Sequence, residues 1–173
     1  MNVLLHSCCG PCASACVPRL KEEGHAVTMF YSNSNIDTRA EFEKRLEAAR
    51  TLAAAEGVTL VADDYDHAAW LRAVADGYEN EPEKGRRCER CYRYNLARTA
   101  SYAAAHGFES FTTSLTVSPS SPARRTESLK PSRFLKSSRR NFGSSDDAKI
   151  FALGLCGLTV SEVVNDSNPC AAA

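Results

Sequence analysis

The chain has 173 residues, enough for one domain around a single hydrophobic core and too few for two of ordinary size. Lysine plus arginine balance aspartate plus glutamate at 21 each, which excludes a globally basic surface and leaves any nucleic-acid contact to a local patch. No stretch approaches the roughly 20 apolar residues of a membrane span and no cleavable leader pattern opens the chain, so the expectation is a cytoplasmic protein with no membrane partner.

In chain order, Val3, Leu4 and Leu5 predict a short buried strand, residues 6–11 a turn, and residues 13–23 a helix stopped by Gly24. Residues 26–31 predict a second strand and 33–37 a turn, after which Thr38 caps a long helix. On that helix Phe42, Leu46, Ala49, Leu52 and Ala53 recur at helical spacing and face a sheet, and Gly57 ends it. A third strand follows over 58–62, then a short helix over 65–75 carrying Trp70, Leu71 and Val74. A polar loop occupies 76–87, a helix 88–106 closed by Gly107, and a fourth strand 108–115.

Strands alternating with helices predict an α/β fold, a three-layer sandwich with a mostly parallel sheet, because parallel neighbours need helical crossovers. Sites in such sheets lie beyond the carboxyl ends of the strands, so the turn after Leu5 and the turn after Leu115 should meet. Residues 118–145 are rich in serine, arginine, lysine and proline and lack apolar periodicity; 146–155 regain helical character. The expected organisation is a single domain over 1–158 and a divergent, disordered tail over 159–173.

Eight cysteines are many for this length. Without a secretion signal they point to metal binding or thiol redox chemistry rather than a disulfide framework. Cys8, Cys9 and Cys12 sit where a strand enters a helix, a position expected to favour thiolates. Cys88 and Cys91 lie at i and i+3 on another helix start, with both sulfurs on one face. Two such pairs suit either a structural zinc or an iron–sulfur cluster. Adjacent Cys8 and Cys9 look awkward for one small tetrahedral ion and easier for a larger cluster with several irons. A third reading is thiol–disulfide exchange through Cys9-Gly10-Pro11-Cys12, although the strand–helix unit that precedes that motif in thioredoxin-like folds is missing. Cys16 reads as a small core residue.

His6 is placed to hydrogen-bond a sulfur or a backbone partner, while His25, His67 and His106 show no metal spacing. Lys84, Arg86, Arg87, Arg90 and Arg93 bracket Cys88 and Cys91, with Tyr92 and Tyr94 interleaved, a mixture that grips phosphates and stacks bases or else forms a solvated helix face. The hydroxyls of Thr112, Thr113, Ser114 and Ser118 suggest an anion site at the end of the fourth strand.

His6-Ser7-Cys8-Cys9-Gly10-Pro11-Cys12, Tyr31-Ser32-Asn33-Ser34-Asn35-Ile36, Arg87-Cys88-Glu89-Arg90-Cys91-Tyr92 and Thr112-Thr113-Ser114-Leu115 with Ser118-Pro119 occur in one order. Together they resemble the cobalamin-independent epoxyqueuosine reductases, the QueH family, from Met1 to about Pro119. The resemblance implies an adenine nucleotide alpha hydrolase-like (HUP-like) sheet. It also implies an oxidoreductase that reduces epoxyqueuosine to queuosine at the tRNA wobble position, the last step of queuosine biosynthesis. The implied cofactor is a [4Fe-4S] cluster on Cys8, Cys9, Cys88 and Cys91; the implied partners are tRNA carrying epoxyqueuosine and an external electron donor. The rival readings remain a zinc-stabilised RNA-binding module and a thiol–disulfide oxidoreductase using Cys9 and Cys12. The family's closing Tyr-Cys-Gly-Cys element has no counterpart: Cys156-Gly157-Leu158 leads into an unrelated tail with a lone Cys170, which predicts a shifted reading frame and impaired turnover.

Overall fold

A computed structural model describes residues 1–117. The expectations for 118–158, the tail over 159–173, and Cys156 and Cys170 lie outside the described residues.

Among the described residues four strands, β1 (Asn2–His6), β2 (Ala26–Tyr31), β3 (Thr59–Ala62) and β4 (Ser110–Thr113), form one sheet in the order β3-β2-β1-β4, and every neighbouring pair is parallel. The chain runs outward from β1 through β2 to β3, then crosses to the other side of β1 for β4. That reversal puts the topological switch point between β1 and β4, at whose carboxyl ends sites in such sheets lie. This is the expected α/β class with helices on both faces of a parallel sheet.

The layers follow from the alternation of side chains along the strands. Leu5, Met29 and Tyr31 face one way and pack with Ala13, Val17 and Leu20 and with Phe42, Leu46 and Ala49, which belong to α1 (Gly10–Ala13), α2 (Cys16–Glu22) and α3 (Arg39–Glu56). Leu4, Phe30 and Phe111 face the other way, against Tyr92, Leu96, Ala100 and Ala103 of α5 (Arg86–Ala105). Leu4 and Leu5 have no exposed surface, and each contributes about 2 kcal/mol by burial, so β1 is held from both sides.

Thr38 caps α3 as expected: its hydroxyl accepts from the Glu41 amide at 3.3 Å, and Gly57 ends the helix with φ of 65°. The helix expected over 13–23 instead starts at Gly10 and breaks at Ser14 and Ala15 before α2. Pro18 explains the break, since it has no N–H for the Ser14 carbonyl and its ring crowds that oxygen. The helix expected over 65–75 is α4 (His67–Trp70) followed by a π-helical turn, Leu71–Ala75. The helix expected from 88 begins at Arg86. The fourth strand stops at Thr113 rather than 115, because its neighbour β1 ends at His6, the partner of Thr113, and Ser114–Val117 coil into a 3-10 turn.

Candidate metal centre

The turn after β1 is shaped by buried polar contacts. His6 lies fully buried between β2 and β4. Its Nε2 donates to the Ser32 carbonyl at 3.0 Å, and its Nδ1 accepts from the Thr113 hydroxyl at 3.0 Å. Burial lowers its pKa to about 4, against the raising effect of the Ser32 carbonyl and Asp63, so the ring is neutral near pH 7. Both nitrogens are engaged away from the thiols, so of the two expected partners His6 takes the backbone one rather than a sulfur. Asn33 donates to the Ser7 carbonyl at 2.9 Å and anchors the next residue of the turn. Gly10 then brings the chain hard against α3: a Cβ at Gly10 would lie 2.6 Å from the Ala48 carbonyl oxygen.

This path brings Cys8, Cys9 and Cys12 together, with sulfurs within 4.8 Å of one another and Cys8 to Cys9 at 3.9 Å. All three are free thiols, as are Cys16, Cys88 and Cys91. Ser114, fully buried at the end of β4, clamps Cys8: its hydroxyl accepts from the Cys8 amide at 3.2 Å and donates to the Cys8 sulfur at 3.4 Å. The hydroxyls of Thr113 and Ser114 are therefore spent on the β1 turn, and the expected open anion site is not formed by them.

The electrostatics also depart from the expectation that a helix start favours thiolates. Burial raises the Cys8 thiol above its ordinary range, with the Ser114 hydroxyl acting in the opposite direction. Burial and the neighbouring thiols push Cys12 up to about 12. A four-residue α1 offers too small a dipole to outweigh desolvation.

Cys88 and Cys91 stand one turn apart on the first turns of α5. The helix crosses the sheet with this end toward the carboxyl edge: Asn95 donates to Asn35, just past β2, at 3.3 Å, and Arg98 grips Asp63, just past β3, at 2.5 and 2.7 Å. The Lys84 amide donates to the Cys88 sulfur at 3.3 Å. Burial pushes the Cys91 thiol up to about 11, opposed by the Trp70 indole. Cys88 and Cys91 thus stand at the end of α5 nearest the carboxyl side of the sheet, but the compact trio does not include them; it takes in Cys12 instead, which only the thiol–disulfide reading had used. Cys16 packs against the core beside α1, in line with its reading.

The basic run is largely committed elsewhere. Arg90 donates to the Ala73 carbonyl and covers the Tyr78 ring at 4.6 Å; Arg93 pairs with Glu89 at 3.1 Å; Arg87 donates to the Glu79 carbonyl at 2.9 Å. Tyr92 and Tyr94 are buried rather than presented on the surface as a stacking platform, which corrects the interleaved-aromatic expectation; Tyr92 shares one helix face with Leu96, Ala100 and Ala103, a periodicity visible in the sequence. Lys84 and Arg86 remain exposed.

The chemistry of the donors fits a thiophilic group. The trio of Cys8, Cys9 and Cys12, with an O–H donor on Cys8, is a donor set that soft metals satisfy; Cys88, with an N–H donor on its sulfur, and Cys91, near the buried Trp70 indole, form a separate pair on α5. Adjacency of Cys8 and Cys9 is no obstacle to a single ion, contrary to expectation: their 3.9 Å separation matches the edge of about 3.8 Å of a tetrahedron with zinc–sulfur bonds of about 2.3 Å.

Fold and site define a parallel α/β domain with a thiol cluster at the reversal point of its sheet. The profile of the family "Epoxyqueuosine reductase QueH" matches residues 3–146, past the Pro119 limit of the motifs. The chain belongs to the QueH epoxyqueuosine reductase family. Proteins named "Epoxyqueuosine reductase QueH" from Dehalococcoides mccartyi, Acinetobacter baylyi and Haemophilus influenzae are 36%, 38% and 36% identical to it over 68% of this chain. The matched part spans 62%, 53% and 47% of those relatives' own lengths. Among the described residues no helix is long and apolar enough to cross a membrane.

Proposed function

We propose that this protein reduces epoxyqueuosine to queuosine at the wobble position of tRNA, using a [4Fe-4S] cluster bound by Cys8, Cys9, Cys88 and Cys91. The observation that carries the reading is the thiol cluster at the carboxyl edge of β1, clamped by Ser114 of the neighbouring strand, in a chain of the QueH family.

When bound, such a cluster supplies electrons singly and a Lewis-acidic iron. The protein's own part is to hold and shield it. Ser114 and the Lys84 amide donate to the Cys8 and Cys88 sulfurs, which orients them as ligands. Neutral His6 ties β1 to β2 and β4 and keeps the turn rigid. Exposed Lys84 and Arg86 offer phosphate contacts beside Cys88. An anticodon loop presents its wobble base unpaired, so reaching it costs less unstacking than a base within a duplex. Conversion of the epoxide to the alkene consumes two electrons and two protons and releases the oxygen as water, so an external one-electron donor acts twice per turnover. A cytoplasmic location suits these partners.

The compact trio of Cys8, Cys9 and Cys12 favours one second reading, a zinc-stabilised RNA-binding module. Anaerobic purification separates the two. Brown protein with iron and acid-labile sulfide, bleached by dithionite and converting epoxyqueuosine in tRNA nucleoside digests, is the expected result. Colourless, zinc-loaded protein without conversion would overturn it.

A further inference from the structure

The side chain that the reading above leaves unexplained is Trp70. It ends α4, and the π-helical turn that follows is fastened to α5 by Arg90, the neighbour of Cys91, whose guanidinium donates to the Ala73 carbonyl. The ring is held in plane by a stack: His67 lies parallel to it at 5.5 Å and 14°, and Tyr65 lies parallel to His67 at 6.3 Å and 9°. His67 is itself fixed, its Nδ1 donating to the Ser34 carbonyl at 2.8 Å. The indole Nε1 is nonetheless buried without an acceptor in hydrogen-bonding geometry. The indole is close enough to interact with the Cys91 sulfur. A fixed ring whose one polar atom is buried and unsatisfied beside a sulfur calls for a stronger acceptor there than a neutral thiol.

We propose that Trp70 is a positioning residue for Cys91: once Cys91 is a metal-bound thiolate, the indole N–H donates to its sulfur and raises the reduction potential of the centre held there. The physical reason is that a donor to a ligating sulfur draws negative charge from the centre and stabilises its more negative, reduced state. The proposal rests on Cys91 being a ligand, as proposed above.

Trp70 is the chain's single tryptophan, which makes an isosteric test practicable. Biosynthetic replacement of tryptophan by benzothienylalanine substitutes sulfur for the indole N–H at this position alone and keeps the ring shape. The cluster is then reconstituted with iron and sulfide, iron per chain is measured, and the midpoint potential is titrated anaerobically. Unchanged iron content with a more negative potential is expected, and Trp70→Phe should shift the potential in the same direction. In the unsubstituted protein, tryptophan emission should be quenched on loading. An unchanged potential at full iron content overturns the role of Trp70 and leaves the ligand assignment standing. Full iron content in Cys91→Ser would instead remove the ligand assignment, and this proposal with it.

Discussion

The two thiol-bearing regions are built in different ways. The turn carrying Cys8, Cys9 and Cys12 is wedged between strands and fixed by buried groups: Ser114 on Cys8, Asn33 on Ser7, and Gly10 against the Ala48 carbonyl. The start of α5, carrying Cys88 and Cys91, is held from the surface. The Glu81 carboxylate accepts from the Arg86 amide at 3.0 Å, Arg87 reaches the Glu79 carbonyl, and Lys84 adopts φ of 68°. Buried contacts are protected from water and salt, whereas exposed ones compete with both, so the first region is the preformed half of the site and the second the adaptable half.

The sharpest break of this comparison is at the thiols. Serine at Cys8, Cys9, Cys88 or Cys91 should abolish both iron binding and epoxyqueuosine reduction, whereas Cys12→Ser should retain iron; iron per chain and nucleoside analysis check both. Next comes the anchor that aims α5. Burial alone would raise the Asp63 carboxyl, but hydrogen bonds from Arg98 and Ser32 outweigh it and hold the pKa below the ordinary carboxylate value. Asp63→Asn should cost about 3 kcal/mol in denaturant unfolding by leaving Arg98 without its counter-charge. Because the folded-state pKa is the lower one, Asp63 contributes stability that is present above the ordinary value of 3.8 and lost as pH falls below it. The variant's acid unfolding should accordingly lose that part of its pH dependence.

Gly10→Ala should cost about 1–3 kcal/mol, because the added methyl meets α3 backbone rather than a side chain that can move aside. The smallest effect belongs to the surface-held half. Glu81→Ala should cost about 1 kcal/mol through the lost cap on the Arg86 amide, measurable by thermal melting, with weaker iron retention at Cys88 and Cys91.

What local chemistry decides was legible in the sequence. The limits of β2, the Thr38 cap, the Gly57 stop and the inward face of α3 all follow from propensity and periodicity, and the strand–turn–cysteine segment marked the edge where the thiols gather. What depends on a distant partner was not legible. The end of β4 is set by the end of β1, the roles of Thr113 and Ser114 by His6 and Cys8, and the raised thiols by burial that no spacing reveals. Tyr92 is an intermediate case: its spacing with Leu96, Ala100 and Ala103 pointed inward, but the neighbouring arginines suggested a ligand surface.

The Ser114 clamp also has a bearing on timing. Cys8 and the serine that secures it are 106 positions apart, so at ribosomal speeds of about 5–20 residues per second the early thiols emerge roughly 5 to 20 seconds before their keeper exists. During that interval the nascent segment lacks the grip that defines its pocket, and stray copper or zinc meets only loose sulfhydryls. Selective loading of the clamped turn therefore waits until β4 slides in beside β1.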